Sequence, residues 1–317
     1  MTDVTALGEV LIDFTPCGMS EAGRNLFEQN PGGAPANVLA ALSKMGRRTA
    51  FIGKVGDDLH GAFLRKTLED LGIDTSGMIT DPDYFTTLAF VGLENGERSF
   101  SFARKPGADT QLRPDEIPEK LLKETRIFHF GSLSLTDEPA RSATLFAVKT
   151  AKENGALISY DPNYRAPLWS DEEHAREQMR SVIPYVDIMK ISDEECALLT
   201  DEDEPAEAAE RLLQQGVRCV FVTLGEDGAL FRTKEFEVTE PGMRGKAVDT
   251  TGAGDSFWGG ILYEFVSENL NPDRIGRETA QKMLRFANTV AGLCVQKRGA
   301  IPAMPTLEEV VRAMNAR

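Results

Sequence analysis

Residues 249–260 read Asp249-Thr-Thr-Gly-Ala-Gly-Asp255-Ser-Phe-Trp-Gly-Gly260, a glycine turn that runs directly into a helix. Phe257, Ile261, Leu262 and Phe265 recur at helical spacing and give that helix an apolar face. The first amides of a helix lack intrahelical partners and carry the positive end of the peptide dipole, so Gly252, Ala253 and Gly254 form a candidate anion site. Asp255 falls in the first turn. There it can act as a capping acid, which suits the dipole, or as a base that takes a proton from a nucleophile attacking a phosphate. Gly259 and Gly260 each cost a helix about 1 kcal/mol against alanine, which predicts that something packs very close to it.

Working outward, apolar runs at 4–11, 49–55, 127–130, 157–160, 188–191 and 219–223 read as strands, with helical patterns between them, including 35–45 and 59–71. Such alternation predicts a mainly parallel sheet covered by helices, with ligands at the carboxyl ends of its strands. Segments 86–93 and 98–104 flank Glu94-Asn95-Gly96-Glu97 and predict a hairpin inserted into this pattern. It is a lid candidate, although a decorative or dimer-forming hairpin would read the same way.

Several strand-end segments converge on one rim. Asp13 follows the first strand, Asn30-Pro-Gly-Gly-Ala-Pro-Ala-Asn37 opens a helix, and Asp161-Pro-Asn-Tyr-Arg165 follows a later strand. Gly32 and Gly33 permit close backbone approach, and the Asn37 amide suits a sugar hydroxyl; a plain turn and cap explain the same residues. Lys190, Ser192 and Glu195 are candidates for phosphate and a hydrated Mg²⁺, and Val222-Thr-Leu-Gly225-Glu-Asp-Gly228 for a nucleotide lying against backbone. Neither GxxxxGK[ST] nor a GxGxxG after the first strand is present, which removes the main support for a P-loop ATPase or a dinucleotide-dependent oxidoreductase.

With 317 residues, 41% of them hydrophobic, the chain can bury a substantial core. A net charge of −15 argues against nucleic acid as a partner, but a small anionic ligand needs only local donors. No apolar stretch approaches the roughly 20 residues that span a bilayer, and the run broken by Glu9 lacks a basic flank, so no membrane partner is expected. Four cysteines without a CxxC pair and only three histidines leave little material for zinc and suggest a reducing cytoplasm.

Two signatures together carry a resemblance. One is Gly32-Gly-Ala-Pro-Ala-Asn37 with Gly53-Lys-Val-Gly-Asp-Asp-Leu-His-Gly61 downstream; the other is Asp249-Thr-Thr-Gly-Ala-Gly-Asp255. The chain resembles the ribokinase-like (PfkB) carbohydrate kinase family over essentially its whole length. The resemblance implies a single ribokinase-like α/β domain, residues 1–317, with a lid formed by about 14–30 and 84–106. It implies ATP-dependent phosphorylation of a sugar hydroxyl, with Asp255 as general base and Gly252, Ala253 and Gly254 as the anion hole. Sugar contacts then fall to Asp13, Gly32, Gly33, Asn37, Phe102, Arg104, Asp161 and Arg165. ATP contacts fall to Lys190, Ser192, Thr223, Gly225, Gly228 and Asn288. Glu195 is implied to hold Mg²⁺ through water, and Asp249, Thr251, Cys294, Gly299 and Ala303 a potassium ion, mostly by backbone.

Within the family, the segments 96–109, 161–165 and 297–305 are similar to fructokinases, which implies fructose as acceptor and fructose 6-phosphate as product. The DxNxR segment followed by Leu168-Trp169 is shared with 2-keto-3-deoxygluconate kinases, whose acidic substrate Arg104 and Arg165 would suit equally. A homodimer through the lid is implied as well. Two positions depart from the family pattern: Ser192-Asp-Glu-Glu195 stands where many members have Asn-x-x-Glu, and Ala103 where a Tyr is frequent. A ribokinase-fold binding protein without catalysis would be expected to have lost the base or the glycine turn, and both are intact.

Overall fold

The computed structural model describes residues 1–94 and 97–316, so Asn95 and Gly96 of the expected turn lie outside the described residues. The strands are β1 (Thr2–Leu7), β2 (Leu11–Met19), β3 (Asn25–Gly32), β4 (Thr49–Gly56), β5 (Asp74–Asp81), β6 (Leu88–Glu94) and β7 (Glu97–Ala103), followed by β8 (Thr125–Gly131), β9 (Leu157–Asp161), β10 (Ile188–Ser192), β11 (Cys219–Thr223), β12 (Ala229–Arg232) and β13 (Glu237–Glu240). The helices are α1 (Ala34–Lys44), α2 (Leu59–Asp70), α3 (Glu119–Lys123), α4 (Ala140–Glu153), α5 (Glu172–Ser181), α6 (Cys196–Thr200), α7 (Pro205–Gln214), α8 (Ala253–Ser267), α9 (Arg277–Cys294) and α10 (Leu307–Asn315). None of the described helices is long and apolar enough to cross a membrane.

Nine strands form the body sheet in the order β13-β12-β11-β10-β9-β8-β1-β4-β5, parallel except where β12 and β13 join by antiparallel pairing. Both faces are covered. Its central strands are therefore near-continuous apolar runs, with β8 almost wholly buried. The parallel register brings Gly131 beside Asp161 and Ser192 beside Thr223, so the loops after β8, β9, β10 and β11 emerge on one edge.

The expected strand 4–11 is in fact two strands in different sheets. β1 ends at Leu7 in the body, and β2 begins at Leu11 in a four-stranded sheet ordered β3-β2-β6-β7. Both halves are apolar, so periodicity alone cannot see the switch. Gly8 at φ +154 turns the chain against Pro35, and buried Glu9 accepts a hydrogen bond from Ala34 N at 2.8 Å.

The small sheet is tethered at its stalks. Asp58 caps α2 by accepting from His60 N and Gly61 N, and also accepts from Thr86 N and Thr86 Oγ1. Asp109 accepts from Thr87 Oγ1 on one stalk and from Arg104 Nε, at 2.8 Å, on the other.

Helix α8 packs between α1 and α9. A Cβ on Gly259 would lie 2.7 Å from Ala41 Cβ, and one on Gly260 2.9 Å from Ala287 Cα, which is the close approach the paired glycines predict. Fully buried Trp258 donates its Nε1–H to Ser159 Oγ at 3.0 Å, fastening α8 to β9.

Candidate active site

The glycine turn and α8 stand at the carboxyl edge of the body sheet, against a cleft of about 560 Å³. Gly252 caps α8 with φ +78, where an added Cβ would meet Ala300 Cβ at 2.9 Å. Gly252, Ala253 and Gly254 all line the cleft. Ala253 N–H already donates to the Thr250 carbonyl at 3.2 Å, so capacity for an anion rests more on the two flanking glycines. A Cβ on Gly254 would lie 3.0 Å from Lys190 Nζ, which places an ammonium close beside the turn.

Asp255 does not cap its helix. Its Oδ2 accepts from Asn37 Nδ2 at 2.7 Å and its Oδ1 from Asn163 Nδ2 at 3.1 Å. Burial pushes its pKa above the usual carboxylate range, and the Asn37 hydrogen bond, Lys190, Arg165 and Asn163 pull the other way. A buried carboxylate oriented by two neutral amides, facing a cleft, has the features of a base rather than of a cap.

At one end of the cleft stand Asp13, Gly33, Asn37, Phe102 and Arg165, together with Glu9. Burial pushes the Asp13 carboxyl up to about 7 against the pull of Arg165, and pushes Glu9 up to about 7 as well. Gly33 sits at φ +109, where a Cβ would lie 2.5 Å from the Glu9 carbonyl oxygen, so only glycine permits this backbone approach. Gly32 does not line the cleft; it abuts the Asp13 carboxylate, leaving no room for a Cβ.

Arg104 is the clear departure from expectation. Rather than reaching the cleft it is buried, with Nε on Asp109, Nη1 on Thr136 Oγ1 at 2.9 Å and Nη2 on the Leu133 carbonyl at 2.8 Å. A buried guanidinium needs its donors satisfied, and here they tie down the returning stalk of the small sheet. Asp161 likewise lies beneath the cleft surface, in an ion pair with Lys190 at 3.0 Å. Burial works against the Lys190 charge, but Asp161, Glu195 and Asp255 hold its pKa above the usual range.

Toward the other end lie Lys190, Ser192, Glu195, Thr223, Gly225, Gly228 and Asn288. Gly225 at φ +59 and Gly228 at φ +104 make the tight turn from β11 to β12. Glu195 accepts from Tyr164 N at 2.7 Å and from Ser192 N at 2.8 Å, joining the loops after β9 and β10. Asn288 donates to the carbonyls of Glu240 and Pro241.

The five candidate cation residues fall behind the turn. Asp249 accepts from Thr251 N, Thr251 Oγ1 and Gly299 N at 2.9, 2.7 and 3.0 Å, which brings Thr251 and Gly299 together. Cys294 places Sγ 4.0 Å from the Gly252 carbonyl, and buried Ala303 donates its N–H to Ala300. Of these only Thr251 lines the cleft itself.

Glu9 and Asn163 line the cleft without having been singled out as site residues. For Glu9 the available signal was a lone charge inside an apolar run; for Asn163 it was an amide between the acid and the guanidinium of 161–165.

A sequence profile described as pfkB family carbohydrate kinase matches residues 1–307. The chain is 45% identical over 307 residues to a probable fructokinase-2 of Arabidopsis thaliana, covering 96% of this chain and 93% of that protein. It is 42% identical to fructokinase-2 of Solanum lycopersicum over 97% of this chain and 94% of that one. Among solved structures, fructokinase with bound ATP from Xylella fastidiosa superposes with a TM-score of 0.93 at 31% identity, covering 100% of this chain and 99% of that one. A double mutant of fructokinase from Vibrio cholerae O395, in a form with fructose, ADP and potassium ion, gives 0.87 at 33% identity over 98% of each.

The ribokinase-like α/β fold and these relatives together define a phosphotransferase whose acceptor is a sugar hydroxyl. Coverage of this extent makes the particular assignment plain: the chain belongs to the pfkB family of carbohydrate kinases.

Proposed function

We propose that this kinase transfers the γ-phosphoryl group of ATP to a primary hydroxyl of fructose, forming fructose 6-phosphate. The observation that carries the reading is Asp255, buried between the two ends of one cleft, with both carboxylate oxygens oriented and the anion turn beside it. The sugar lies against Asp13, Gly33, Asn37, Phe102 and Arg165, and its hydroxyl gives a proton to Asp255. The hydroxyl oxygen forms the new bond to the γ-phosphorus as the bond to ADP breaks. Gly252, Gly254 and Lys190 meet the phosphoryl oxygens, while Thr223, Gly225, Gly228 and Asn288 border the rest of the nucleotide.

Phosphoryl transfer has a loose transition state, so charge stabilisation outweighs proton abstraction. A positioned base contributes about 10² to 10⁴ in rate, and one well-aimed anion donor about 2.7–4 kcal/mol. Glu195 is the residue that would meet Mg²⁺ through water, the ion supplying charge neutralisation on phosphate. Among the described residues no group of three His, Cys, Asp or Glu side chains is gathered for a metal, so such an ion would take most ligands from phosphate and water. Asp249 and the carbonyls of Thr251 and Gly299 offer the hard oxygen donors that suit a potassium ion behind the turn.

Fructose is favoured over a keto acid by charge. Arg104 is engaged with Asp109, which leaves Arg165 as the arginine lining a cleft that also presents Glu9, Asp13 and Asp255. Met19, Phe27 and Phe90 expose 71, 43 and 40% of their surface on one face of the lid sheet, a face suited to a second copy of the chain. Coupled ADP release measured over fructose, 2-keto-3-deoxygluconate, ribose, tagatose and adenosine tests the reading, with fructose expected to give the highest kcat/KM. A strong preference for the keto acid would overturn the choice of sugar.

A further inference from the structure

Asn163 meets neither sugar nor phosphate in the reading above, yet beyond its hydrogen bond to Asp255 three features converge on it. Its backbone is left-handed at φ +48, a conformation that Asn tolerates better than most residues. Its N–H donates to Asp161 Oδ1 at 3.2 Å, and the next N–H, of Tyr164, donates to Glu195 Oε1, so the loop after β9 is fixed to two carboxylates. That leaves the Asn163 side chain pointing at the base, with Nδ2 3.1 Å from Asp255 Oδ1.

A carboxylate held by one donor can still swing about its Cβ–Cγ bond. Asp255 is held by two donors on different oxygens, one from α1 and one from the β9 loop. The second donor belongs to the loop that follows Asp161, and Asp161 grips Lys190, the ammonium beside the anion turn. We infer that Asn163 is a positioning residue for phosphoryl transfer: its amide fixes the plane of the Asp255 carboxylate and, through Asp161, couples that plane to the cation on the phosphate side. The inference rests on Asp255 being the base. An amide donor also favours the ionised carboxylate, so its loss moves the acid limb of the rate profile to higher pH.

Two variants isolate the effect. Asn163→Gly keeps the left-handed backbone and removes the amide; Asn163→Asp keeps the shape and turns a negative charge toward Asp255. For Asn163→Gly, kcat is expected to fall about 10- to 100-fold, the worth of one hydrogen bond to a charged group, with KM for sugar and ATP nearly unchanged. Its acid limb moves to higher pH, and that of Asn163→Asp moves further because like charges disfavour ionisation. In an Asp255→Asn background the glycine variant should cost almost nothing more, since the group it orients no longer accepts the proton. The inference is overturned if Asn163→Gly keeps parental kcat and acid limb, or if its loss multiplies fully with that of Asp255→Asn. Retained turnover in Asp255→Asn alone would instead sink the base assignment, a separate outcome read from the same series.

Discussion

The two sheets of this molecule are held in opposite ways. Body strands such as β4 are buried end to end, whereas in β2 burial fades from Leu11 to exposed Met19, and β3 reverses that gradient from Asn25 to Gly32. The body is secured by apolar surface on both faces. The small sheet, the proposed lid, is secured by polar clamps at its stalks, Asp58 on Thr86 and Asp109 on Thr87 and Arg104, and by ring contacts among Phe14, Phe27 and Phe90. The difference separates two tasks. The proposed base and anion turn would need rigid placement, which a core supplies, while the proposed cover over the cleft would need stalks that hold their ends and leave the middle free to meet a ligand or a partner.

Substitutions on the two sides should therefore fail differently. The largest effect is expected from Asp255→Asn, which should lower kcat by about 10² to 10⁴ while ATP binding and melting temperature stay close to the parent. Calorimetric ATP titration beside single-turnover kinetics would check both halves. Gly252→Ala forces a side chain into φ +78 and toward Ala300, so about 1–2 kcal/mol of stability should be lost together with turnover. Denaturant midpoints and kcat measured on that variant would decide whether body strain reaches the anion turn.

Glu9 gives a pH test at the seam between the sheets. Burial raises its pKa from 4.5 to about 7, so the folded chain binds that proton more tightly than the unfolded chain does. Its stabilising contribution is complete below pH 4.5 and is lost as pH rises through 7, at about 1.4 kcal/mol per unit. Glu9→Gln should flatten the fall in stability over that window relative to the parent, measured by urea unfolding at stepped pH. Smallest of all should be the effect of Phe27→Ser with Phe90→Ser on body stability, under about 1 kcal/mol, because both rings are already partly exposed. If the lid face carries a second copy, the same pair should shift sedimentation toward the monomer; an unchanged dimer would place the contact elsewhere.

Much of this was legible in the chain because it is local. The α8 pattern, the turn before it and the parallel strands show in short windows, and Gly259 with Gly260 announced close packing before any neighbour was known. What escaped depends on distant partners. The switch between β1 and β2 is invisible where both halves are apolar, and only the placement of Ala34 explains Glu9. Arg104 reads as a ligand contact until Asp109, Thr136 and Leu133 are seen to consume its donors. Asn163 sits in a segment whose acid and guanidinium drew attention first, and its aim at Asp255 spans 92 positions of sequence.

The glycine pair in α8 has one more consequence. Where Gly259 meets Ala41 and Gly260 meets Ala287, a bare glycine faces an alanine, with no room to enlarge a side chain on either helix. At the Gly259–Ala41 contact, any larger side chain would force apart the helix that carries Asn37 and the helix that carries Asp255. A library built to change which sugar is accepted should therefore leave those four positions fixed and vary the strands of the small sheet, which stand apart from this helix packing.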